Sequence, residues 1–384
     1  MKIAHVGMFY YPTFGGVEQV MQELAERQVK AGHEVHVFCS DSDKYKRIKK
    51  KEEVINGVYV HRHKYILRLS LSALIWPSLL STLSKQKFDV IHSHVSGHLH
   101  VLLAGIVARK TKTPHIHTTH CPWTDKYRSF ILKPFLFLND KLFNKMAFDR
   151  CDKIIAITPW EIPILKKWVD EKKIVVIPNG MDNLFFKKLK ENKFKEKNNI
   201  PKDKKIILFF GRLNPTKGPE KLALVARELV KERKDVFFAF IGPDEGKLQE
   251  VQEIIKDQEN IKYFGALRGK DKIIEMYQAA YVYMLPSYRE GLPLTLFEAM
   301  ASGLPIIASP VNGIPYEMND SENGLFVKYG DIKGLKNAII KLLDDSKFYE
   351  KISKTNLKKA EEYSWDKISE RFESVYKSLI NKKN

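Results

Sequence analysis

The chain is poor in cysteine. Cys39, Cys121 and Cys151 are the only three in 384 residues. They form neither a disulfide framework nor a metal-ligand spacing, which excludes a stapled secreted scaffold and suits a reducing cytoplasm. Long apolar runs are also lacking. The nearest thing to a transmembrane segment, Ile66 to Ser84, contains Arg68, Pro77 and several serines, and it reads as an amphipathic or buried helix. Met1-Lys2-Ile3-Ala4-His5-Val6-Gly7-Met8 is a strand running into a loop, not a signal peptide. There is no short-period repeat or low-complexity array. Acidic residues are in deficit: 46 Asp and Glu against 65 Lys and Arg leave a formal net charge of +19. Such an excess fits phosphorylated substrates, an anionic membrane or nucleic acid, or a lysine-rich surface serving solubility. The cations are scattered and no recognised nucleic-acid motif accompanies them, so no nucleic-acid partner is expected.

What is present is an ordered alternation of strands and helices. A hydrophobic content of 44% with 29% charged residues fits a soluble globular protein. The length exceeds one ordinary core, so two domains are expected. In the first half, Val17, Val20, Met21, Leu24, Gln28 and Val29 trace a helical stripe that Gly32 stops. Strands are predicted from Val35, at Val58–His61, Val90–Ser93, His115–Thr119, Ile154–Ile157 and Ile174–Ile177. Thr158-Pro159-Trp160-Glu161 has capping-box form and predicts a helix start. The second half repeats the pattern, with strands at Ile206–Phe210, Val236–Ile241, Ile261–Phe264, Tyr281–Leu285, Pro305–Ala308 and Gly324–Val327. This is an α/β chain with two parallel, doubly wound, Rossmann-like sheets. Phe185 to Lys205, rich in lysine and asparagine, suits a linker or surface excursion between them.

Two stretches carry chemistry. The first is Ser287-Tyr288-Arg289-Glu290-Gly291-Leu292-Pro293-Leu294-Thr295-Leu296-Phe297-Glu298. Glu290 falls on the loop leaving a strand, and Glu298 falls inside the helix that Pro293 introduces. Between them, unpaired N–H groups at the helix start form an anion site. Carboxylates on either side of an anion site suit a ligand with hydroxyls at both ends and phosphate in the middle, the form of a nucleotide-sugar. The second stretch is Gly211-Arg212-Leu213-Asn214-Pro215-Thr216-Lys217-Gly218. Arg212 and Lys217 share a glycine-bounded strand-to-helix loop and can converge on a diphosphate. Taken singly, these residues also fit solvated loop cations and a core carboxylate.

Together, Gly-Arg-(x4)-Lys-Gly followed by Glu-(x7)-Glu-Ala-Met resembles the retaining GT-B glycosyltransferases of family four, also called glycosyl transferases group 1. The resemblance runs from Gly15-Gly16 to Asn323-Gly324. It implies two Rossmann-like domains facing across a cleft. Residues 1–178 would be an acceptor-binding domain and 179–364 a nucleotide-sugar donor-binding domain, with the final helix, within 365–384, packing back on the first. It further implies that Arg212 and Lys217 clamp the diphosphate, that Glu290 contacts donor-sugar hydroxyls, and that Glu298 accepts from the ribose. The backbone of Gly291, Leu292, Leu294 and Thr295 would face sugar and phosphate, and Gly15 and Gly16 would lie over the donor phosphates. Arg268 falls where the nucleobase should lie, and stacks on it or is a surface arginine. His120, after the predicted strand at 115–119, would be a site histidine that orients the donor sugar. A lone histidine is also a common structural residue.

His92, His94, His98, His100, His115 and His117 cluster densely. No carboxylate or cysteine joins them at ligand spacing, so they read as strand-end residues lining the acceptor side of a cleft, not as a metal site. Asp41-Ser42-Asp43 lies after the second strand, away from the donor motifs, so no metal cofactor is expected. Lys126 to Arg150 interleaves cations with Tyr127, Phe130, Phe135, Phe137, Phe143 and Phe148. It reads either as a helical segment lying on anionic lipid or as a helix pair with its aromatics in the core. The departures from the family pattern are the long glycine turn Gly242-Pro243-Asp244-Glu245-Gly246 and Asn312-Gly313 in place of Gly-Gly. The expected activity is transfer of a sugar, from a UDP-sugar ahead of a GDP-sugar, to a lipid-linked or cell-surface glycan acceptor at the cytoplasmic membrane face. The alternatives are a nucleotide-sugar epimerase on the same fold and a basic nucleic-acid-binding protein.

Overall fold

The computed structural model describes residues 1–13, 15–70, 73–120 and 139–381. The chain forms two units, Met1–Gly180 with Trp365–Asn384, and Met181–Ser364. The strands of the first unit are β1 (Lys2–Val6), β2 (Glu34–Ser40), β3 (Glu52–Ile55), β4 (Val58–His63), β5 (Leu67–Ser70), β6 (Ala73–Ile75), β7 (Val90–His94), β8 (His115–Thr118), β9 (Lys153–Ala156) and β10 (Ile174–Val176). Eight of them form one sheet in the order β10-β9-β8-β7-β1-β2-β4-β3. Every pair is parallel except the edge pair β3–β4. The inner strands are buried along nearly their whole length, as a parallel sheet covered on both faces requires; all five residues of β7 are buried. The first helix, Gly16–Lys30, turns Val20, Met21, Leu24 and Ala25 inward and ends at Gly32, whose φ of 83° favours glycine.

Ile66 to Ser84 does not fold as a single helix. Leu67–Ser70 and Ala73–Ile75 pair antiparallel, and among the described residues of this stretch only Leu79–Leu83 is helical. Leu67-Arg68-Leu69 alternates with period two, and Arg68 reaches back to Lys44 O and Ser42 Oγ while Leu67 and Leu69 stay exposed. That alternation is the signature of a strand, and it was present in the sequence. The capping box at Thr158 is also displaced. Thr158 accepts from Trp160 N, but Glu161 Oε1 accepts from Ile157 N at 2.8 Å, one residue ahead of the cap. No helix among the described residues is long and apolar enough to cross a membrane.

The second unit contains β11 (Lys205–Phe210), β12 (Val236–Ile241), β13 (Ile261–Tyr263), β14 (Ala280–Leu285), β15 (Ile306–Ala308) and β16 (Gly324–Phe326). Its sheet is wholly parallel in the order β13-β12-β11-β14-β15-β16. This is the doubly wound dinucleotide-fold order, and its winding reverses between β11 and β14. The stretch read as a linker, 185–205, is tied to this unit. Gln278 Nε2 donates to Lys187 O at 2.8 Å, and Asn192 Nδ2 donates to Glu275 O at 2.8 Å.

The final helix, Trp365–Ile380, belongs to the first unit and buries Trp365, Ile368, Phe372 and Tyr376. Arg371 donates to Val176 O at 2.7 Å, and Arg27 pairs with Asp366 at 3.1 Å. Trp365 lies flat on Gly180, where an added Cβ would stand 2.4 Å from the indole Cδ2. Gly180→Ala is therefore expected to destabilise the first unit by about 1–3 kcal/mol through overpacking. Urea unfolding of the parent and the variant checks this.

Candidate functional site

In open α/β sheets, ligands bind outside the carboxyl ends of the strands where the winding reverses. In the second unit that point is flanked by the loop after β11, from Gly211 to Gly218, and the loop after β14, from Pro286 to Pro293. Tyr288 N donates to Thr216 O at 2.8 Å, joining the two loops. Gly218 has φ 65°, and a Cβ there would come within 2.5 Å of Pro286 O, so only glycine permits this approach. Asn214 shapes the first loop, its Oδ1 accepting from Thr216 N, Thr216 Oγ1 and Lys217 N. Gly242, with φ 148° and a hypothetical Cβ 1.8 Å from Gly211 O, lets β12 end flush against β11.

Lys217 and Glu290 meet across this point. Lys217 Nζ lies 2.5 Å from Glu290 Oε1 and 2.7 Å from Oε2, and both side chains are largely buried. Ser287 Oγ donates to Glu290 Oε1 at 2.6 Å. An ionised carboxylate offers about four acceptor positions and an ammonium three donors. The carboxylate therefore keeps a position on Oε2 for an incoming hydroxyl, and the ammonium keeps a donor for an incoming oxyanion. Arg212 does not join them. Its Nη1 pairs with Glu245 Oε2 at 3.0 Å, with both side chains about half exposed. Asn214 Nδ2 donates to the same oxygen at 3.0 Å. An exposed pair of this kind contributes about 0–1 kcal/mol, so Arg212 can exchange Glu245 for a phosphate at little cost. Glu245 belongs to the long 242–246 turn. Sequence reading flagged that turn but gave Glu245 no task.

Glu298 is buried inside the helix Leu294–Ala301. Burial raises its carboxyl from the ordinary 4.5 to about 7, although Tyr277 Oη donates to its Oε2 at 3.0 Å. Among the described residues no donor reaches Oε1. Tyr277 had no sequence signal, because it belongs to the buried face of another helix, Lys270–Ala279. Pro293 is the N-cap of Leu294–Ala301, one step outside its first turn. Gly291, Leu294 and Thr295 are partly exposed and Leu292 is buried. Arg268 is exposed on the loop after β13.

In the first unit, Gly15 is the N-cap of Gly16–Lys30 and its carbonyl accepts from Gln19 N at 3.0 Å. Apart from the partly exposed His98, the clustered histidines do not line an open surface. His92, His94, His115 and His117 are at most 1% exposed, and neighbouring strand positions send them to opposite faces of the sheet. His115 Nε2 and His117 Nδ1 meet Ser93 Oγ at 2.9 and 3.0 Å. His92 and His94 gather with His5, whose ring nitrogen Nδ1 lies 3.0 Å from His94 Nε2. Ligand atoms of His5, His92 and His94 lie within 4.8 Å of one another. Their nitrogens are already engaged, with Gln28, Tyr376, Thr118 and one another, so a metal would have to displace those bonds. His120 lies just past β8 with φ 51°, and its Nε2 lies 3.1 Å from His94 Nδ1. Burial lowers His5 to about 4 and His120 to about 3, and holds His92, His94 and His117 well below the ordinary 6.5. The basic, aromatic stretch 126–150 lies outside the described residues up to 138. Beyond it, Leu142, Phe143 and Met146 are exposed while Ala147 and Phe148 are buried.

Residues 14–183 match the family model Glycosyltransferase Family 4, and residues 190–359 match Glycosyl transferases group 1. An uncharacterized glycosyltransferase of Methanocaldococcus jannaschii is 26% identical over 97% of this chain and 97% of its own. The UDP-Gal:alpha-D-GlcNAc-diphosphoundecaprenol alpha-1,3-galactosyltransferase of Escherichia coli is 27% identical over 90% of this chain and 88% of its own. Among solved structures, Anabaena HepE in complex with UDP superposes with a TM-score of 0.81 at 17% identity, over 98% of this chain and 100% of that one.

The two units should respond oppositely to pH. All 12 histidines precede residue 121, so the second unit has none. A base depressed by folding contributes stability that is complete above its unfolded pKa and is lost as pH falls toward the folded value. Each such histidine steepens the loss by at most about 1.4 kcal/mol per pH unit. Glu298 is an acid raised by folding, so its contribution is complete below 4.5 and is lost as pH rises through about 7, a cost of up to about 3 kcal/mol. Below pH 6.5 the first unit should unfold ahead of the second, followed by hydrogen exchange. Between pH 5 and 8, Glu298→Gln should flatten the decline in Tm of the second unit.

Proposed function

The chain belongs to the glycosyl transferases group 1 of GT-B fold and is a glycosyltransferase, and from that premise we propose the following reaction. It moves a sugar from a UDP-sugar to a hydroxyl of a lipid-linked or cell-surface glycan precursor, with retention at the anomeric carbon. The observation that carries the donor reading is the buried Lys217–Glu290 pair at the winding reversal of the second sheet, with Glu298 on the helix that follows. A diphosphate leaving group needs positive charge where charge develops. Lys217 supplies it from inside the crevice, and Arg212 supplies it from the rim after releasing Glu245. Glu290 accepts a sugar hydroxyl on its open oxygen, and Glu298 accepts the ribose hydroxyls. Because lysine, arginine and the start of Leu294–Ala301 carry the phosphate charge, the reaction requires no metal. UDP as the nucleotide is supported by the UDP complex of the structurally similar Anabaena protein, and a diphospholipid acceptor by the name of the Escherichia coli relative.

We propose further that the enzyme is cytoplasmic and works at an anionic membrane face. The net charge of +19 and the exposed Leu142, Phe143 and Met146 beside exposed Lys145 support this.

Nucleotide binding, turnover, unfolding and vesicle association test these readings. In a thermal-shift panel, UDP should raise Tm more than GDP or ADP, and equal shifts for all three would remove the base assignment. Glu298→Ala should weaken UDP binding, whereas Glu290→Ala should lower turnover and leave UDP bound. Arg212→Ala and Lys217→Ala should each lose about 10²–10³ in rate. Removing one partner of a buried pair also costs stability, about 3–5 kcal/mol. Lys217→Met alone should therefore unfold earlier than Lys217→Met with Glu290→Gln, while Arg212→Ala leaves Tm unmoved. Activity should survive EDTA; its loss and return with Mg²⁺ would overturn the metal-free leaving step. Binding to anionic vesicles should fall as salt rises.

A further inference from the structure

One buried chain of hydrogen bonds joins the final helix to His120, and its members fix one another's protons. Gln28 Nε2 donates to Tyr376 Oη at 3.3 Å, which turns Gln28 Oε1 toward His5. His5 Nε2 lies 2.7 Å from that oxygen and must donate to it. A neutral imidazole has one donor and one acceptor nitrogen, so His5 Nδ1 is bare and accepts from His94 Nε2 at 3.0 Å. His94 Nδ1 is then bare and accepts from His120 Nε2 at 3.1 Å. The chain therefore ends in a bare Nδ1 on His120, which no donor among the described residues occupies. Tyr376 passes its own proton to His92 Nδ1 at 2.6 Å, and His92 Nε2 donates to Thr118 Oγ1 at 2.7 Å. Reversing any one link requires reversing all of them, because a single misplaced proton would leave two donors, or two acceptors, facing each other in a buried site.

We propose that Tyr376 is a positioning residue that, through Gln28, His5 and His94, holds His120 in the tautomer with a bare Nδ1 available to accept from a substrate hydroxyl. The chain spans three parts of the sequence: the first strand and helix, the two central strands of the histidine side, and the last helix. A helix more than 250 residues distant in sequence thus sets the hydrogen-bonding character of a strand-end side chain. Relevance to transfer rests on the reading of His120 as a site residue; the tautomer assignment does not.

The test is the nitrogen spectrum of the full-length protein with labelled histidine at neutral pH, which distinguishes bare from protonated ring nitrogens. In the parent, His5, His94 and His120 should each carry the proton on Nε2. Tyr376→Phe removes the group that orients the Gln28 amide, and a second population with protonated Nδ1 should appear in all three rings together. Gln28→Met removes the acceptor for His5 and should have the same effect, which keeps the test open if Tyr376→Phe unfolds. Phe372→Leu loosens the same helix face against His92 without removing a hydrogen bond, and should leave His120 unchanged. An unchanged His120 in both Tyr376→Phe and Gln28→Met, or equal changes in Phe372→Leu, would overturn the proposal. The site reading is tested separately: if His120→Ala turns over as the parent does, His120 is not at the site, whatever its tautomer.

Discussion

The crevice at the winding reversal of the second sheet is built around one ion pair. Lys217 and Glu290, 73 residues apart in sequence, come from loops that follow β11 and β14, strands adjacent in the sheet. Their contact joins the two loops where the sheet reverses its winding. Two charges buried there singly would each be costly; paired and bonded by Ser287, they are tolerated. The glycines around them follow from the same constraint. Gly218 and Gly242 stand where a Cβ would meet backbone of a neighbouring loop, so the loops can approach closely enough for the pair to form. The pair also leaves each partner one open valence of the kind the proposed ligand needs: an acceptor on the carboxylate and a donor on the ammonium.

Arg212 and Glu298 show the same economy at different depths. Arg212, paired on the surface with Glu245, is held loosely enough to change partner. Glu298 is buried, and burial disfavours its charge even with Tyr277 donating to it. The histidine network in the first unit is the polar counterpart. Its rings are buried and kept neutral, and neutrality gives each nitrogen a definite role as donor or acceptor. The last helix is the outer wall of that network. Phe372 lies 5.6 Å from the His92 ring, and Tyr376 supplies the hydroxyl between Gln28 and His92.

Much of the architecture was legible before any coordinates. Buried parallel strands are continuous apolar runs, so β11, β12 and β14 could be placed to within a residue from composition alone. Short pieces were harder. The paired strands Leu67–Ser70 and Ala73–Ile75 were hidden inside a longer apolar stretch read as a helix, because an alternation of a few residues is a short signal. The edge strand β3 has only one partner and alternating exposure, and it left no run to detect.

By itself the sequence determined which elements carry these charged residues, because strand-to-helix spacing places Arg212, Lys217 and Glu290 on loops that leave strands, and Glu298 inside the helix that follows, whatever the sheet order. Only the tertiary structure decided how they pair: Lys217 with Glu290, Arg212 with Glu245, and Glu298 with Tyr277. Spacing along a chain gives the element a side chain stands on, whereas its partner depends on which strands become neighbours and how deeply each group is buried. The histidines make the same point. Their alternation in β7 and β8 predicted shared faces, but the joining of His5, Gln28 and Tyr376 to one of those faces required the sheet order and the returning final helix.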